Sequence, residues 1–327
     1  MSTRIPCGGR ELIRSGEVAS YLVMAFIFVL SIQARAGIAE ILQSEGYTRC
    51  ELIESPARDE LFVTASVNGN HCIFLVDTGS AYTQVSRAAA QRLGLAVDRL
   101  ILGSGLNGTV KSEVAKVDSL KIGEIALVPS TVLIAENAAN TNKNSGVQCD
   151  GLVGLETMRK NHFIIQAGQP ATLYFKTQGE TGDETQLDPY LTSHGLTSIS
   201  LLFRSHHFIV PVTLNGVATE MILDTGASRT VLGRDFVTEH QFQTTSVRGQ
   251  HMNGLDGQTE QVSEVPHCTI LAGSYVFHPL AVLVGNLAAL RQVDPHSGLH
   301  TSGLLGYDLL AKFNFILNTE INSLYLN

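Results

Sequence analysis

Two aspartates stand in the same local setting, Asp77-Thr78-Gly79-Ser80 and Asp224-Thr225-Gly226-Ala227, 147 positions apart. Each ends an apolar run and is followed after one residue by glycine, which has no side chain to keep another backbone or group at a distance. Two carboxylates brought face to face share a proton, and one can then serve as base while the other serves as acid. A single Asp-Thr-Gly is a common turn sequence. Two at equivalent positions of a repeat are a candidate site.

The elements that must position them repeat as well. Val67-Asn68-Gly69 aligns with Leu214-Asn215-Gly216, so each copy reads as a hairpin entering a strand that ends in Asp-Thr-Gly. Thr83 falls on Thr230. Gly151-Leu152-Val153-Gly154 recurs as Gly303-Leu304-Leu305-Gly306, and Phe163-Ile164-Ile165 and Leu173-Tyr174-Phe175 recur as Phe315-Ile316-Leu317 and Leu324-Tyr325-Leu326. This shared order marks an internal duplication. Glu51-Leu52-Ile53 and Ile199-Ser200-Leu201 are expected to add an outer strand to each sheet. Helices are expected to be short: Arg87 to Leu93, capped by Ser86 and stopped by Gly94, its partner Arg234 to His240, and single turns at Glu156 to Lys160 and Asp308 to Phe313. The fold class is all-β with short helices. If the copies pack about an approximate twofold axis, Asp77 and Asp224 meet across it.

Composition agrees. With 44% apolar and 16% charged residues and 30 glycines in 327, the chain has the material for two strand-rich lobes, and collagen and coiled coil are excluded. Thirty acidic residues against 22 basic give a net charge of -8, and no Lys/Arg cluster forms a phosphate track, so nucleic acid is not an expected partner. The apolar run Ala19 to Ile32, with Arg4, Arg10 and Arg14 before it and Ala34-Arg35-Ala36 after it, reads as a signal peptide over residues 1–36. The uncharged stretch from Val18 to Ala34 also reaches the lower length limit of an uncleaved anchor. On both readings the body is exported, periplasmic or secreted, and touches a membrane only if that segment stays attached. The lobes are expected at 37–175 and 194–327, with a polar linker at 176–193. Cys50, Cys72, Cys149 and Cys268 are left as disulfides or buried thiols.

From about residue 50 onward the chain resembles aspartic proteases of the pepsin and retroviral type. Leu75-Val76-Asp77-Thr78-Gly79-Ser80 and Leu223-Asp224-Thr225-Gly226-Ala227 look like the two catalytic loops, and the two Gly-apolar-apolar-Gly segments look like the element that passes behind each loop. Short lobes and the Gly306-Tyr307-Asp308 ending look nearer the retroviral type, with both lobes in one chain. The resemblance implies a double-lobed acid-protease fold with pseudo-twofold symmetry. It implies Asp77 and Asp224 as the catalytic pair, activating a water for attack on a peptide carbonyl of an extended polypeptide. It also implies that the Thr78 and Thr225 hydroxyls reach backbone groups of the opposite loop, and that neither a cofactor nor a dimer is needed. Ser80 has a hydroxyl to offer Asp77, whereas Ala227 has none for Asp224. That asymmetry predicts a raised Asp224 pKa and activity at weakly acidic pH.

Hairpin tips at Asn107-Gly108 and Asp256-Gly257 are the flap candidates, the first without the aromatic of the pepsin-like pattern. Gly103-Ser104-Gly105-Leu106-Asn107-Gly108 also matches a dinucleotide-binding pattern with Glu124 downstream, but it lacks a βαβ frame and reads as a hairpin. The histidines, including His206-His207, form no compact ligand set and read as surface or strand-edge residues, so no metal is expected. The leading expectation is an endopeptidase. A peptide-binding or inhibitory module on the same fold is the alternative.

Overall fold

The computed structural model describes residues 37–56, 59–105, 108–128, 130–136, 146–176, 186–253, 259–278, 281–287 and 301–326. Two ten-stranded sheets of matching build form the two lobes, and a six-stranded sheet joins them. In the first lobe the strand order runs Val97–Gly105, Gly108–Lys116, Thr131–Ala135, Gln84–Ser86, Gly151–Val153, Asn70–Val76, Leu61–Val67, Leu120–Ile122, Ile125–Ala126. The second lobe repeats it with Thr245–Asn253, Thr259–Pro266, Ala281–Gly285, Val231–Gly233, Thr301–Gly306, Val217–Asp224, His207–Leu214, Ile270–Ala272, Tyr275–Phe277. Each hairpin leading to an aspartate turns on an Asn-Gly pair with positive φ, Asn68 and Gly69 at 50° and 77°, Asn215 and Gly216 at 46° and 88°.

The Gly-apolar-apolar-Gly segments pass so close behind the aspartate loops that a side chain has no room. A Cβ on Gly151 would lie 2.1 Å from the Gln84 carbonyl oxygen, and one on Gly303 would lie 2.1 Å from that of Val231. Gly154 and Gly306 meet the backbones of Tyr82 and Arg229 in the same way, at 2.4 and 2.5 Å. The obstacle is backbone, which cannot rotate aside. Gly151→Ala and Gly303→Ala are therefore each expected to lower stability by about 3 kcal/mol, read as a shift of the urea midpoint at unchanged slope. A shift worth under about 0.5 kcal/mol would mean that the crossing yields easily.

The joining sheet takes three strands from each half, in the order Thr48–Glu51, Thr172–Phe175, Ile164–Gln166, Ile316–Asn318, Ser323–Leu326, Thr197–Ser200. Here the outcome differs from the expected outer strands. The chain changes sheet at Leu52 and at Leu201: Thr48–Glu51 and Thr197–Ser200 edge the joining sheet, and Ile53–Glu54 and Leu202–Arg204 pair within the lobes. A helix over 37–44 and another at Leu187–Ser193 cover this sheet, burying Ile38, Leu42, Leu187 and Leu191 against Ile164, Tyr174, Ile316 and Tyr325. The segment expected as linker thus ends in a helix, because two leucines one turn apart suffice to pin seven residues. Residues 177–185 lie outside the described residues, as do 1–36, where the signal peptide is expected. Among the described residues no helix is long and apolar enough to cross a membrane.

Helix Arg87–Arg92 is capped as expected, Ser86 Oγ accepting from Ala89 N at 3.1 Å. Arg234–Glu239, Leu155–Lys160 and Tyr307–Leu310, the last continued by a 3-10 turn at Ala311–Phe313, are the other short helices of the repeat. The four described cysteines are free thiols. Burial pushes Cys149 and Cys268 up to about 11, which keeps both protonated at neutral pH.

Candidate active site

Strands Asn70–Val76 and Val217–Asp224 deliver the two aspartates to the seam between the lobes, where the loops interlock. A Cβ on Gly79 would lie 2.3 Å from Asp224 Cγ, and one on Gly226 would lie 2.4 Å from Asp77 Cγ. The space that each glycine leaves empty is filled by the opposite carboxyl, and the two carboxyls lie within hydrogen-bonding reach of each other. Asp77 Oδ1 accepts from Gly79 N at 2.8 Å and Ser80 N at 3.1 Å; Asp224 Oδ1 accepts from Gly226 N and Ala227 N, both at 3.0 Å. The pair is symmetric in its backbone support.

The threonines bind the loops together. Thr78 Oγ1 donates to Leu223 O at 2.8 Å and accepts from Thr225 N at 3.0 Å. In return Thr225 Oγ1 donates to Val76 O at 2.6 Å and accepts from Thr78 N at 3.0 Å. Both threonines are fully buried. Behind them stands a further layer that sequence reasoning did not assign. Thr83 Oγ1 shares a hydrogen bond with Thr157 Oγ1 at 2.7 Å and accepts from Gly154 N. Its counterpart Thr230 donates through both N and Oγ1 to Asp308 Oδ1, at 2.8 and 2.7 Å, and accepts from Gly306 N. The only sequence signal for this layer was the repeat of Thr83 as Thr230.

Ser80 does not play the expected part. Its hydroxyl donates to the Tyr82 carbonyl at 2.9 Å and accepts from Gln84 Nε2 at 3.0 Å, so only its backbone N–H serves Asp77, just as that of Ala227 serves Asp224. The hydroxyl difference never reaches the carboxyls. Burial instead pushes Asp77 well above the usual carboxylate range, the Asp224 charge adding to it, against the N–H groups of Gly79 and Ser80. Asp224 is raised too, by burial, against the N–H groups of Ala227 and Gly226. The pair therefore holds a proton where isolated carboxylates have lost theirs.

This has a consequence for stability. A raised folded-state pKa means that the native state binds the proton more tightly than the unfolded chain. Its contribution is complete below the ordinary carboxylate value of about 4 and is lost as pH rises toward the folded value. Asp77→Asn removes that titration. Its melting temperature relative to the parent is expected to climb as pH is raised from 4 to 7; a difference constant over that range would show that the pair titrates normally.

The hairpins proposed as flaps are Val97–Gly105 with Gly108–Lys116 and Thr245–Asn253 with Thr259–Pro266. Gly108 opens a return strand, whereas Asn107, Asp256 and Gly257 lie outside the described residues. Gly103 and Gly105 end one strand of this hairpin, so the glycine pattern leads into no helix that could take a phosphate. His206 sits in a turn, but His207 is buried, not on the surface, and desolvation with the neighbouring His206 holds it down at about 4. Among the described residues no three His, Cys, Asp or Glu side chains converge as a metal-ligand set.

A family model described as aspartyl protease matches residues 63–157 and 210–309. Among solved structures, the crystal structure of an aspartic proteinase from Irpex lacteus superposes with a TM-score of 0.51 and 12% identity, over 85% of this chain and 97% of that one. This likeness speaks to the fold, which is the double-lobed, pepsin-like one with a pseudo-twofold axis. Comparison with curated proteins gives no significant match. The two segments matched by the family model make up more than half of the chain and carry one Asp-Thr-Gly loop each, and on that ground the chain belongs to the aspartyl protease family.

Proposed function

We propose that the protein is an aspartic endopeptidase in which Asp77 and Asp224 activate one water for attack on a peptide carbonyl. The observation that carries this is the reciprocal packing of each carboxyl into the space beside the opposite glycine. In the resting pair one carboxyl holds the shared proton. The ionised partner takes a proton from the water as its oxygen bonds to the carbonyl carbon, and the protonated one donates to the carbonyl oxygen. Collapse of the tetrahedral species passes a proton to the departing amine, breaks the C–N bond and returns the pair to its starting charge. Residues Thr78, Gly79, Ser80, Thr225, Gly226 and Ala227 orient the carboxyls, and an extended polypeptide pairs its backbone with the flap strands.

The raised pair supports work at weakly acidic pH, through burial and not through a missing hydroxyl at Ala227. The short lobes and the Gly306-Tyr307-Asp308 ending favour kinship with a tandem retroviral-like arrangement. The N-terminal apolar run supports export, with residues 37–175 and 194–327 as the two lobes. The test is digestion of an unfolded protein from pH 3 to 7 by the intact chain, beside Asp77→Asn and Asp224→Asn. Cleavage lost in both variants supports the reading. Cleavage surviving in either removes the paired mechanism, and binding of peptides without cleavage by the intact chain would establish a binding module instead.

A further inference from the structure

The duplication makes differences between the two halves informative where they lie close to the carboxyl pair, because there the two sides of the pair are not equivalent. Tyr82 stands five residues after Asp77, and Arg229 stands five after Asp224. Around Tyr82 lies an aromatic group built from both lobes. Its ring meets His206 at 5.9 Å between centroids, and His206 meets Phe203 edge-on at 6.5 Å. The Arg159 guanidinium lies 3.8 Å over the Phe203 ring and donates to Asn322 Oδ1 at 2.7 Å, so the shelf is backed by an ordered cation. The turn that presents His206 places two residues other than glycine, Ser205 and His206, at φ of 48° and 63°. These are the two central residues of the hairpin that pairs Arg204 with His207, and a two-residue hairpin turn of this kind requires both positive φ values, which fixes where the His206 ring stands.

Both outer rings are partly exposed. Tyr82 is 38% and Phe203 37% exposed, and the neighbouring Leu202 is 43% exposed. At the corresponding place on the other side the surface is polar: Arg229 pairs with Asp308 at 3.5 Å, and Asp59, the counterpart of His206, bonds to Ser55 Oγ at 2.6 Å.

We propose that Tyr82, His206 and Phe203 form a shelf that takes a large apolar or aromatic side chain of the substrate polypeptide on one side of the scissile bond only. The inference rests on the peptidase reading and adds to it a substrate class with a direction. Three exposed side chains are too little for a stable protein interface, which needs roughly 800 Å² on each partner, but they suit one substrate residue. The shelf is also continuous with the carboxyl loop: Ser80 gives its N–H to Asp77 and its hydroxyl to the Tyr82 carbonyl, so a residue held at Tyr82 is held in register with the reacting carbonyl.

The test is a peptide library randomised on both sides of a fixed cleavage site. With the full chain, Phe, Tyr and Leu are expected to be enriched at one position on one side. The ratio of kcat/KM between peptides bearing Phe and Ser at that position is expected to fall about tenfold in the Tyr82→Ser/Phe203→Ser double variant, chiefly through KM, and to survive in Tyr82→Phe. A ratio within one variant is insensitive to how much of that variant is folded. An unchanged ratio in the double variant, or equal preference on both sides in the parent, would overturn the proposal. If the parent cleaves nothing, the peptidase reading fails, and panning the library for binding decides the shelf separately: aromatic enrichment lost in the double variant supports it, and no enrichment sinks it.

Discussion

Asp77→Asn and Asp224→Asn are each expected to lower kcat/KM for peptide cleavage by roughly 10³-fold or more, and the double variant is expected to be little worse than either single one. Asparagine keeps the shape of the side chain and one acceptor oxygen, so the bonds from Gly79 and Ser80 N–H to position 77, or from Gly226 and Ala227 N–H to position 224, can persist. What it removes is the ability to hold or accept the shared proton. Because that proton is common property, losing either acid disables both the base that takes the water's proton and the acid that serves the carbonyl oxygen, which is why the effects should not add. Burial raises both carboxyls, so neither substitution should unfold the protein, and Asp77→Asn should be the more stable chain at neutral pH. Steady-state kinetics on one peptide, with melting curves as the folding control, separate these outcomes. A single variant retaining more than about a tenth of the activity would mean that one carboxylate suffices, which the paired mechanism does not allow.

Much of the fold could be read in advance because it depends on residues with unusual backbone demands. Asn68-Gly69 and Asn215-Gly216 announce tight hairpins, and Gly151, Gly154, Gly303 and Gly306 stand where backbones cross too closely for a Cβ. Both aspartates follow from the same pattern. The joining sheet was harder to read, since Ile164–Gln166 and Ile316–Asn318 are three residues long and buried on both faces, which leaves no alternation to show their partners. Asp77 is the nearest anion to the Ser80 hydroxyl in sequence, but the turn points that hydroxyl at the Tyr82 carbonyl. Asp308 could not be tied to Thr230 from spacing alone, because 78 residues separate them and only the close of the second lobe brings them together. Local geometry was legible, and so, through the resemblance, was the cross-lobe reach of Thr78 and Thr225; the partners that the tertiary fold gives Ser80 and Thr230 were not.

The cross-lobe partners of Thr78 and Thr225 are the reason to expect a large effect at these two threonines. Each hydroxyl of Thr78 and Thr225 donates to a carbonyl and accepts an N–H of the opposite loop, holding the two loops in reciprocal contact around the carboxyls. Valine matches threonine in shape but leaves a buried carbonyl and a buried N–H without a partner. At about 1–3 kcal/mol for each unpaired group, Thr78→Val and Thr225→Val should each cost about 2–5 kcal/mol of stability. Serine keeps the hydroxyl and loses only a methyl group, so Thr→Ser should cost about 1 kcal/mol. Activity should separate the two substitutions further. A loosened loop misplaces its carboxyl without removing any substrate contact, so kcat should fall more than KM rises in the valine variants, and the serine variants should recover most of it. Because the two threonines share one interlocked set of bonds, the double valine variant should lose less than the sum of the singles. Urea unfolding and kinetics on the same preparations decide the matter: equal behaviour of the valine and serine variants would show that the cross-lobe hydroxyl bonds do not hold the carboxyl pair in place.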